Sequence, residues 1–438
     1  MATTPALHRR LTLRDLVVYG LLFIGPLAPV GVFGVLDARA DGAVALVYLV
    51  ATLAMACTAW SYAEMSRVVP HAGSVFAYAT AGLGSAAGFF AGWLAMLDYL
   101  LIPSVAYLFS GIALHALVPD VPAWVFTVAA FAATTALNLR GVAVAARVGF
   151  VVMLIELAAL IVFVLAAAFV LAQDGPSRPW LSPFTGLTAI DRSMVLGGVS
   201  IAVLSFLGFD AIASFAEENT GDSRQVGRAI FLCLGVAGLA FVAQTALGAL
   251  LSTSSPGDLQ AHPERQGTAF YDVTRTALGG WLATLLAVTK AVGPAFAAMT
   301  AQAAAARLLL GMARAGQLPA ALAAIDRERG VPTAALVTTG TLTLAVSVWA
   351  ARRSDGLPLL VSIVDVGALA AFVLLHASVI GYVHGGAGRD RRPVHLVVPI
   401  VGGLIAVWVL AEASGAAQMT GAVWALAGAV VYEARRRA

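Results

Sequence analysis

The sequence predicts an all-α integral membrane protein with twelve transmembrane helices, on the strength of its composition and of its recurring apolar runs. Hydrophobic residues make up 60% of the 438 residues and charged residues 11%, whereas a soluble domain has about 25% charged residues. The mean hydropathy is +0.90. Apolar runs close to the roughly 20 residues that cross hydrocarbon as a helix recur along the chain. In order, spans 1 to 12 are expected near 13–36, 43–65, 87–117, 121–139, 148–172, 194–219, 228–251, 279–311, 332–351, 358–384, 394–411 and 415–433.

The arginines predict the orientation of these spans. An even number of spans puts both termini on one side, and that side collects eighteen arginines against seven on the other. By the positive-inside rule, both termini are expected in the cytoplasm, which places the protein in the inner membrane. The basic start leads straight into a full-length span, so no cleavable signal peptide is expected. The pI near 9.0 follows from this topology, and we expect no nucleic-acid partner.

Span 1 contains a helix break. Pro26 cannot complete the helical hydrogen-bond ladder, and Pro29 biases Ala28 away from helical dihedrals, so the break is expected from Gly25 to Pro29. Unpaired backbone groups are tolerated in hydrocarbon only where they are buried in protein or line a polar cavity. A simple proline kink is the alternative interpretation. With Gly25, Leu27 and Ala28 as remaining donors, the break is predicted to form part of a substrate site.

Span 6 contains a second break, in "SFLGFDAIASFAEE". Arg224 marks the end of the span, and Asp210 precedes it by fourteen residues, which is about 21 Å of helix. Gly208 and Asp210 are therefore expected in mid-membrane. Spans 1 and 6 are five apart. Interruptions at corresponding positions in two five-span halves indicate an inverted-repeat transporter whose substrate sits between the breaks.

Four motifs carry a family resemblance: "SYAEMSRVVPHAGSVFAYA" (61–79), "GFFAGWLAMLDYLLIP" (88–103), "SFLGFDAIASFAEEN" (205–219) and "ARLLLGMARAGQLP" (306–319). In order and spacing, over nearly the whole chain, they resemble the amino acid–polyamine–organocation transporter superfamily. The segments "LTLRDLVVYGLLFIGPLAP", "LDYLLIP" and "GFDAIASFAEE" look most like its putrescine-importer branch. The resemblance implies a leucine-transporter-type fold, with inverted repeats over 1–175 and 176–385, two further helices over 386–438, and alternating access around a central site.

Two carboxylates are predicted to face that central site. A charge inside the membrane costs at least a few kcal/mol unless it is paired or hydrated. Asp98 lies ten residues into span 3, about 15 Å along the helix, and Asp210 lies at the break of span 6. Together they would suit a ligand with two positive ends, such as a diamine. Two alternatives stay open: Asp210 steadies the half-helix of its own span, and Asp98 pairs with Lys290.

The prolines of span 1 favour an amine over a carboxylate ligand. Relatives that carry α-amino acids usually have a glycine- and serine-rich break, whose free N–H groups bind the substrate carboxylate. Pro26 and Pro29 remove two of those donors. A neutral or cationic amino acid remains the alternative substrate.

Glu156 in span 5 is the predicted ion-coupling residue. By its spacing from "AARVGF", it occupies the position at which many superfamily members carry a lysine beside spans 1 and 8. In proton-coupled relatives that lysine stands in for a sodium ion, and here the charge is reversed. A carboxyl group in a low-dielectric environment favours its protonated form, so Glu156 could bind and release a proton or accept a cation. The alternative is a protonated side chain hydrogen-bonded to a carbonyl, with no role in coupling.

Four further charged residues are candidates for gates. Lys290 lies seventeen residues before Arg307 in span 8, about 25 Å away, and either closes an outer gate or extends to the interface. Asp365 in span 10 is its candidate partner. Glu217 and Glu218 lie near the arginine-rich inner end of span 6, where ion pairs with arginines could hold the cytoplasmic gate.

Among the aromatic residues, Phe206, beside the break of span 6, is the one expected to stack against a ligand. The seven histidines are scattered without a metal-binding or catalytic cluster, and His376 is expected to be a hydrogen-bonded core residue. Cys57 and Cys233 fall within spans and predict neither a disulfide framework nor a metal site. We therefore expect no enzyme, no metal and no cofactor.

The predicted function is secondary active transport of a small, putrescine-like amine, coupled to protons. No phosphate-binding loop or ATP-binding domain is found, so primary active transport within this chain is excluded. A permease for neutral or cationic amino acids, or an exchanger, is the alternative. A transporter-like sensor or channel represents another class, and both monomer and dimer in the lipid bilayer fit the pattern.

Overall fold

The computed structural model describes residues 9–69, 73–118, 120–188, 192–326, 328–353, 356–385, 391–413 and 415–437. The described residues form helices and two isolated β-bridges, so the predicted all-α class is confirmed. Arg327 and Arg389, two of the eighteen arginines counted above, lie outside the described residues.

Each predicted span coincides with helical structure. Apart from spans 1 and 6, the helices are Val44–Val68, Ser85–Leu117, Ala123–Leu139, Val142–Asp174, Arg224–Leu251, Gly280–Arg314, Thr333–Ala350, Gly356–His384, Val394–Ala411 and Gly415–Arg437. Within the described ranges, ten segments are long and apolar enough to cross a membrane. The helices of spans 4 and 12 are not among these ten; the helix of span 4 has only 17 residues.

Span 1 is broken where the prolines predict it. A helix over Leu13–Ile24 begins with a capping box between Thr12 and Asp15 and ends at Gly25, whose φ of 74° lies in the region that favours glycine. A short 3₁₀ turn over Ala28–Gly31 and a helix over Phe33–Arg39 complete the span. The interruption is therefore an unwound segment, and a simple kink is excluded.

Span 6 is broken at the predicted glycine. The helix Arg192–Leu204 is followed by turns and then by a 3₁₀ helix over Phe209–Glu218. Gly208 takes a left-handed conformation with φ of 116°, and a Cβ added there would overlap the ring of Phe23 in span 1. The two breaks therefore pack against each other.

Spans 3, 8 and 10 surround these breaks. Span 3 packs along spans 8 and 10, and span 1 packs against spans 5, 7 and 8 and the second half of span 6. Spans 5, 7 and 8 therefore lie around span 1.

Candidate functional site

A cavity of about 150 Å³ lies at the break of span 1. It is bounded by spans 1, 3, 5, 6, 8 and 10, and its two charged lining residues are Glu156 and Lys290. Three larger cavities contain neither break: one of about 400 Å³ lies near Glu64, and two of about 410 and 240 Å³ lie near Arg39. We place the candidate site in the smaller cavity because both breaks reach it.

Some of the residues predicted to form the substrate site at the break of span 1 line the cavity. Gly25 and Ala28 line the cavity, whereas Leu27 is buried in the core at 1% exposure. The carbonyl oxygen of Pro26 accepts a hydrogen bond of 3.0 Å from Nε2 of Gln244. This glutamine of span 7 was not predicted, although a buried amide facing a break is the expected way to satisfy a freed carbonyl.

Glu156 and Lys290 face the same cavity from spans 5 and 8 and interact electrostatically. The Glu156 carboxylate lies so close to Gly293 of span 8 that an added Cβ there would overlap it. Glu156 thus lies beside spans 1 and 8, at the location that the resemblance implies. Within the described part of the chain, neither side chain forms a direct ion pair or hydrogen bond. The alternative pairing of Lys290 with Asp98 is therefore not observed, nor is a bond from Glu156 to a carbonyl.

Three acidic side chains lie beneath the cavity. They are Asp98, Asp210 and Asp365. Each lies three or four positions along its own span from a residue that lines the cavity, and each is nearer to the end of the bundle at which span 1 begins. Those lining residues are Ile102, Leu207 and Val361. Asp98 interacts electrostatically with both Asp210 and Asp365.

Asp210 is bonded to its own break. Tyr99 donates a hydrogen bond of 2.7 Å to its Oδ2 atom, Tyr62 donates a longer one of 3.4 Å to the same atom, and the backbone N–H of Gly208 donates to Oδ1 at 3.2 Å. The alternative in which Asp210 steadies its half-helix is thus supported. The two tyrosines were missed by sequence reasoning; the adjacency of Tyr99 to Asp98 in span 3 was the available signal.

Asp98 has a different environment. It is 2% exposed, and its Oδ1 atom has no hydrogen-bond partner among the described residues. An unpaired charged oxygen in a buried position is costly, so this atom is suited to a partner that comes from outside the chain.

Phe206 does not line the cavity. Its ring is fully buried and packs against Phe241 and Tyr48, at centroid distances of 5.0 and 6.2 Å. In this conformation Phe241 of span 7 and Tyr48 of span 2 enclose the ring, and stacking of Phe206 against a ligand stays a prediction. His376 is buried and bonded to Ser61 and Thr58, as expected of a core residue.

Ion pairs close the end of the bundle at which span 1 begins. The Arg307 guanidinium pairs with Glu218 and lies 4.3 Å from the ring centroid of Phe215. Arg314 contacts both carboxylate oxygens of Glu217 at 2.8 Å. The ion pairs predicted for Glu217 and Glu218 are present, and both arginines come from span 8.

A second buried ion pair lies at the opposite end and was not predicted. Arg178, in the connection between spans 5 and 6, contacts both oxygens of Asp37 at 2.7 and 2.8 Å and also donates to Ser252 at 3.1 Å. It therefore joins the ends of spans 1 and 7. No local pattern distinguishes Arg178 from other loop arginines, so this contact depends on tertiary structure alone.

Comparisons with known proteins agree with this architecture. The low-affinity putrescine importer PlaP of Escherichia coli K12 is 29% identical over 433 residues, covering 97% of this chain and 93% of that protein. The branched-chain amino acid permease BcaP of Lactococcus lactis is 25% identical, covering 96% and 93%. The gamma-aminobutyric acid permease of E. coli K12 is 26% identical, covering 76% and 70%. The chain is a multi-pass membrane transporter for a small amine or amino acid, and not an enzyme. Since residues 16–426 match the amino acid permease family, the chain belongs to that family.

Proposed function

We propose that the protein is a secondary active transporter that moves a small organic amine, putrescine-like in size and charge, by alternating access. The observation that carries this proposal is the buried and unpartnered Oδ1 atom of Asp98, one helical turn beneath the cavity at the two breaks. The likeness to a putrescine importer supports the same substrate class. Inner-membrane location with cytoplasmic termini is part of the proposal.

The substrate enters the cavity and places an ammonium group against Asp98, with Asp210 completing the negative site. Charge-assisted hydrogen bonds to carboxylates are the strong contacts available to an amine. The backbone at Gly25 and Ala28 lines the path to this site. The repeats over 1–175 and 176–385 then move relative to each other, so that the site faces each side in turn.

Proton coupling is proposed at Glu156. Glu156 and Lys290 both line the cavity and interact electrostatically without a direct ion pair. A change of charge on one of them therefore alters the stability of the charge on the other. Protonation of Glu156 would release Lys290 and change the charge of the cavity during the cycle. We also propose that Glu217 and Glu218 gate the cytoplasmic side and that Lys290 takes part in the opposite gate.

A second candidate substrate is an amino acid. One acidic and one basic group on the walls of a single cavity suit a ligand that carries both an ammonium group and a carboxylate. Glu156 would bind the ammonium group and Lys290 the carboxylate. The likeness to a branched-chain amino acid permease supports this candidate.

Uptake by proteoliposomes tests the proposal. With purified protein and an imposed proton gradient, radiolabelled putrescine is expected to accumulate, and leucine is expected not to. Asp98→Asn and Asp210→Asn should each lose putrescine uptake, whereas Asp272→Asn, in an exposed position, should retain it. Accumulation of leucine alone would favour the amino acid candidate, passive equilibration would indicate a channel, and binding without uptake would indicate a sensor.

A further inference from the structure

Asp365 lies in the same buried cluster as Asp98 and Asp210. Asp98 interacts electrostatically with both, and spans 3 and 10 are in close contact at Gly367. At that glycine the backbone of span 10 packs directly on span 3: an added Cβ would lie 2.9 Å from the backbone nitrogen of Asp98 and 3.0 Å from the carbonyl oxygen of Leu94. The sequence-based role for Asp365 in a gate does not account for this position.

No cation of the described chain balances the three acids. Lys290 has Glu156 as its electrostatic partner, and Arg307 is paired with Glu218. The donors that reach the cluster are neutral, namely the hydroxyls of Tyr62 and Tyr99 and the N–H of Gly208, and all three bond to Asp210. A positive partner for these three carboxyl groups would therefore have to come from a ligand.

In this cluster, the Oδ1 atom of Asp98 is buried and has no hydrogen-bond partner among the described residues. Asp98 is 2% exposed, so this oxygen lies inside the bundle. Asp365 forms no hydrogen bond or ion pair with the rest of the described chain, and its side chain remains partly accessible. Two of the three carboxyl groups are thus available to a ligand, while Asp210 is held by the break.

We propose that Asp365 is a further ligand of the substrate cation and that, with Asp98, it selects amines carrying two positive charges. This inference rests on the proposed transport of an amine. Since Asp210 is held by its break, a ligand with one ammonium group leaves one of the two available carboxyl groups without a positive partner, whereas a diamine leaves neither. Glu156 and Lys290 add no net charge to the cavity, so they do not alter this balance.

Three four-carbon ligands that differ in the charges of their ends test the inference. Their affinities for the purified full-length protein are measured by calorimetry, with putrescine as the dication, 1-aminobutane as the monocation and 4-aminobutanoate as the zwitterion. One charge-assisted contact corresponds to an affinity ratio of about tenfold or more. We expect wild-type protein to prefer putrescine over 1-aminobutane by that ratio, and Asp365→Asn to bind both about equally. The exposed control Asp272→Asn should behave as wild type.

A second variant tests the inference even if Asp365→Asn does not fold. Asp365→Glu retains the charge and lengthens the side chain by one methylene, so it should keep the preference for a dication and favour 1,3-diaminopropane over putrescine. An unchanged chain-length preference, or equal affinity of wild type for putrescine and 1-aminobutane, would overturn the role of Asp365 and leave amine transport intact. Failure of wild type to bind any of these amines would instead refute the proposed function.

Discussion

Arg307 of span 8 forms a buried ion pair with Glu218 at the end of span 6, with side-chain exposures of 4% and 0%. The backbone carbonyl of Glu218 also accepts hydrogen bonds from the N–H groups of Arg10 and Leu11, at 2.9 and 3.0 Å. One residue therefore ties together span 8, span 6 and the segment that precedes span 1. This connection closes the bundle beneath the acidic cluster.

Removing one partner of that pair should open and destabilise this end. Loss of one member of a buried ion pair costs about 3–5 kcal/mol, so Glu218→Gln and Arg307→Ala should lower the unfolding temperature strongly and leave the cavity accessible from this side. Thermal unfolding and the labelling rate of a cysteine introduced by Phe215→Cys measure the two effects. The control Arg275→Ala removes an exposed pair, which is expected to cost at most about 1 kcal/mol. Equal changes of unfolding temperature and labelling rate in Arg307→Ala and Arg275→Ala would contradict the role of the Arg307–Glu218 pair in closing this end of the bundle.

A matched pair of glycine variants tests the break of span 6. Gly208 has a φ of 116°, and an added Cβ would overlap Phe23, whereas Gly235 of span 7 has no atom within 4 Å of its added Cβ. A side chain at a strained position costs about 1–3 kcal/mol, so Gly208→Ala should lose substrate binding and stability while Gly235→Ala keeps both. Calorimetric affinity for putrescine and thermal unfolding are the measurements. Normal binding by Gly208→Ala would show that the break need not be left-handed.

Two tyrosine variants test the support of Asp210. Tyr99→Phe removes a hydrogen bond of 2.7 Å, and Tyr62→Phe removes one of 3.4 Å to the same oxygen. A hydrogen bond to a charged group contributes about 1.5–3 kcal/mol when its geometry is good, so Tyr99→Phe should weaken putrescine binding by about tenfold or more, and Tyr62→Phe by much less. A larger loss of putrescine affinity in Tyr62→Phe than in Tyr99→Phe would mean that the hydrogen bond from Tyr99 does not position the carboxylate of Asp210.

Glu156→Gln tests the coupling group. The amide keeps the size of the side chain and removes its titration, so putrescine binding and downhill exchange should persist while uphill uptake is lost. In wild type, uptake should fall as the pH rises, because the proton to be carried becomes scarcer. Uptake by Glu156→Gln should show no such dependence. A pH profile identical to that of wild type would assign coupling to another group.

The helices and both breaks could be predicted because their causes are local. Apolar runs of sufficient length specify spans, and Pro26, Pro29 and Gly208 mark the two interruptions. Intramembrane charges were also recognisable, since each residue such as Asp98 is costly without a partner. The local sequence thus identified which residues needed an explanation.

The partners of those charges could not be predicted in the same way. Whether Lys290 faces Asp98 or Glu156 depends on the rotation of span 8 about its axis, and one residue of difference turns a side chain by about 100°. The contact of Phe206 with Phe241 of span 7 is likewise set by packing between helices. Tertiary packing decides these contacts.

The pair between Asp37 and Arg178 has a consequence for observing transport. Arg178 reaches Asp37 and Ser252, and the neighbouring N–H of Ser177 donates to the carbonyl of Leu250 at 2.8 Å. Any tilt of the last turn of span 1 must either break these bonds or carry the whole connection with it. A fluorophore on that connection would then report each half-cycle as a change in its signal, without any modification of the substrate pathway itself.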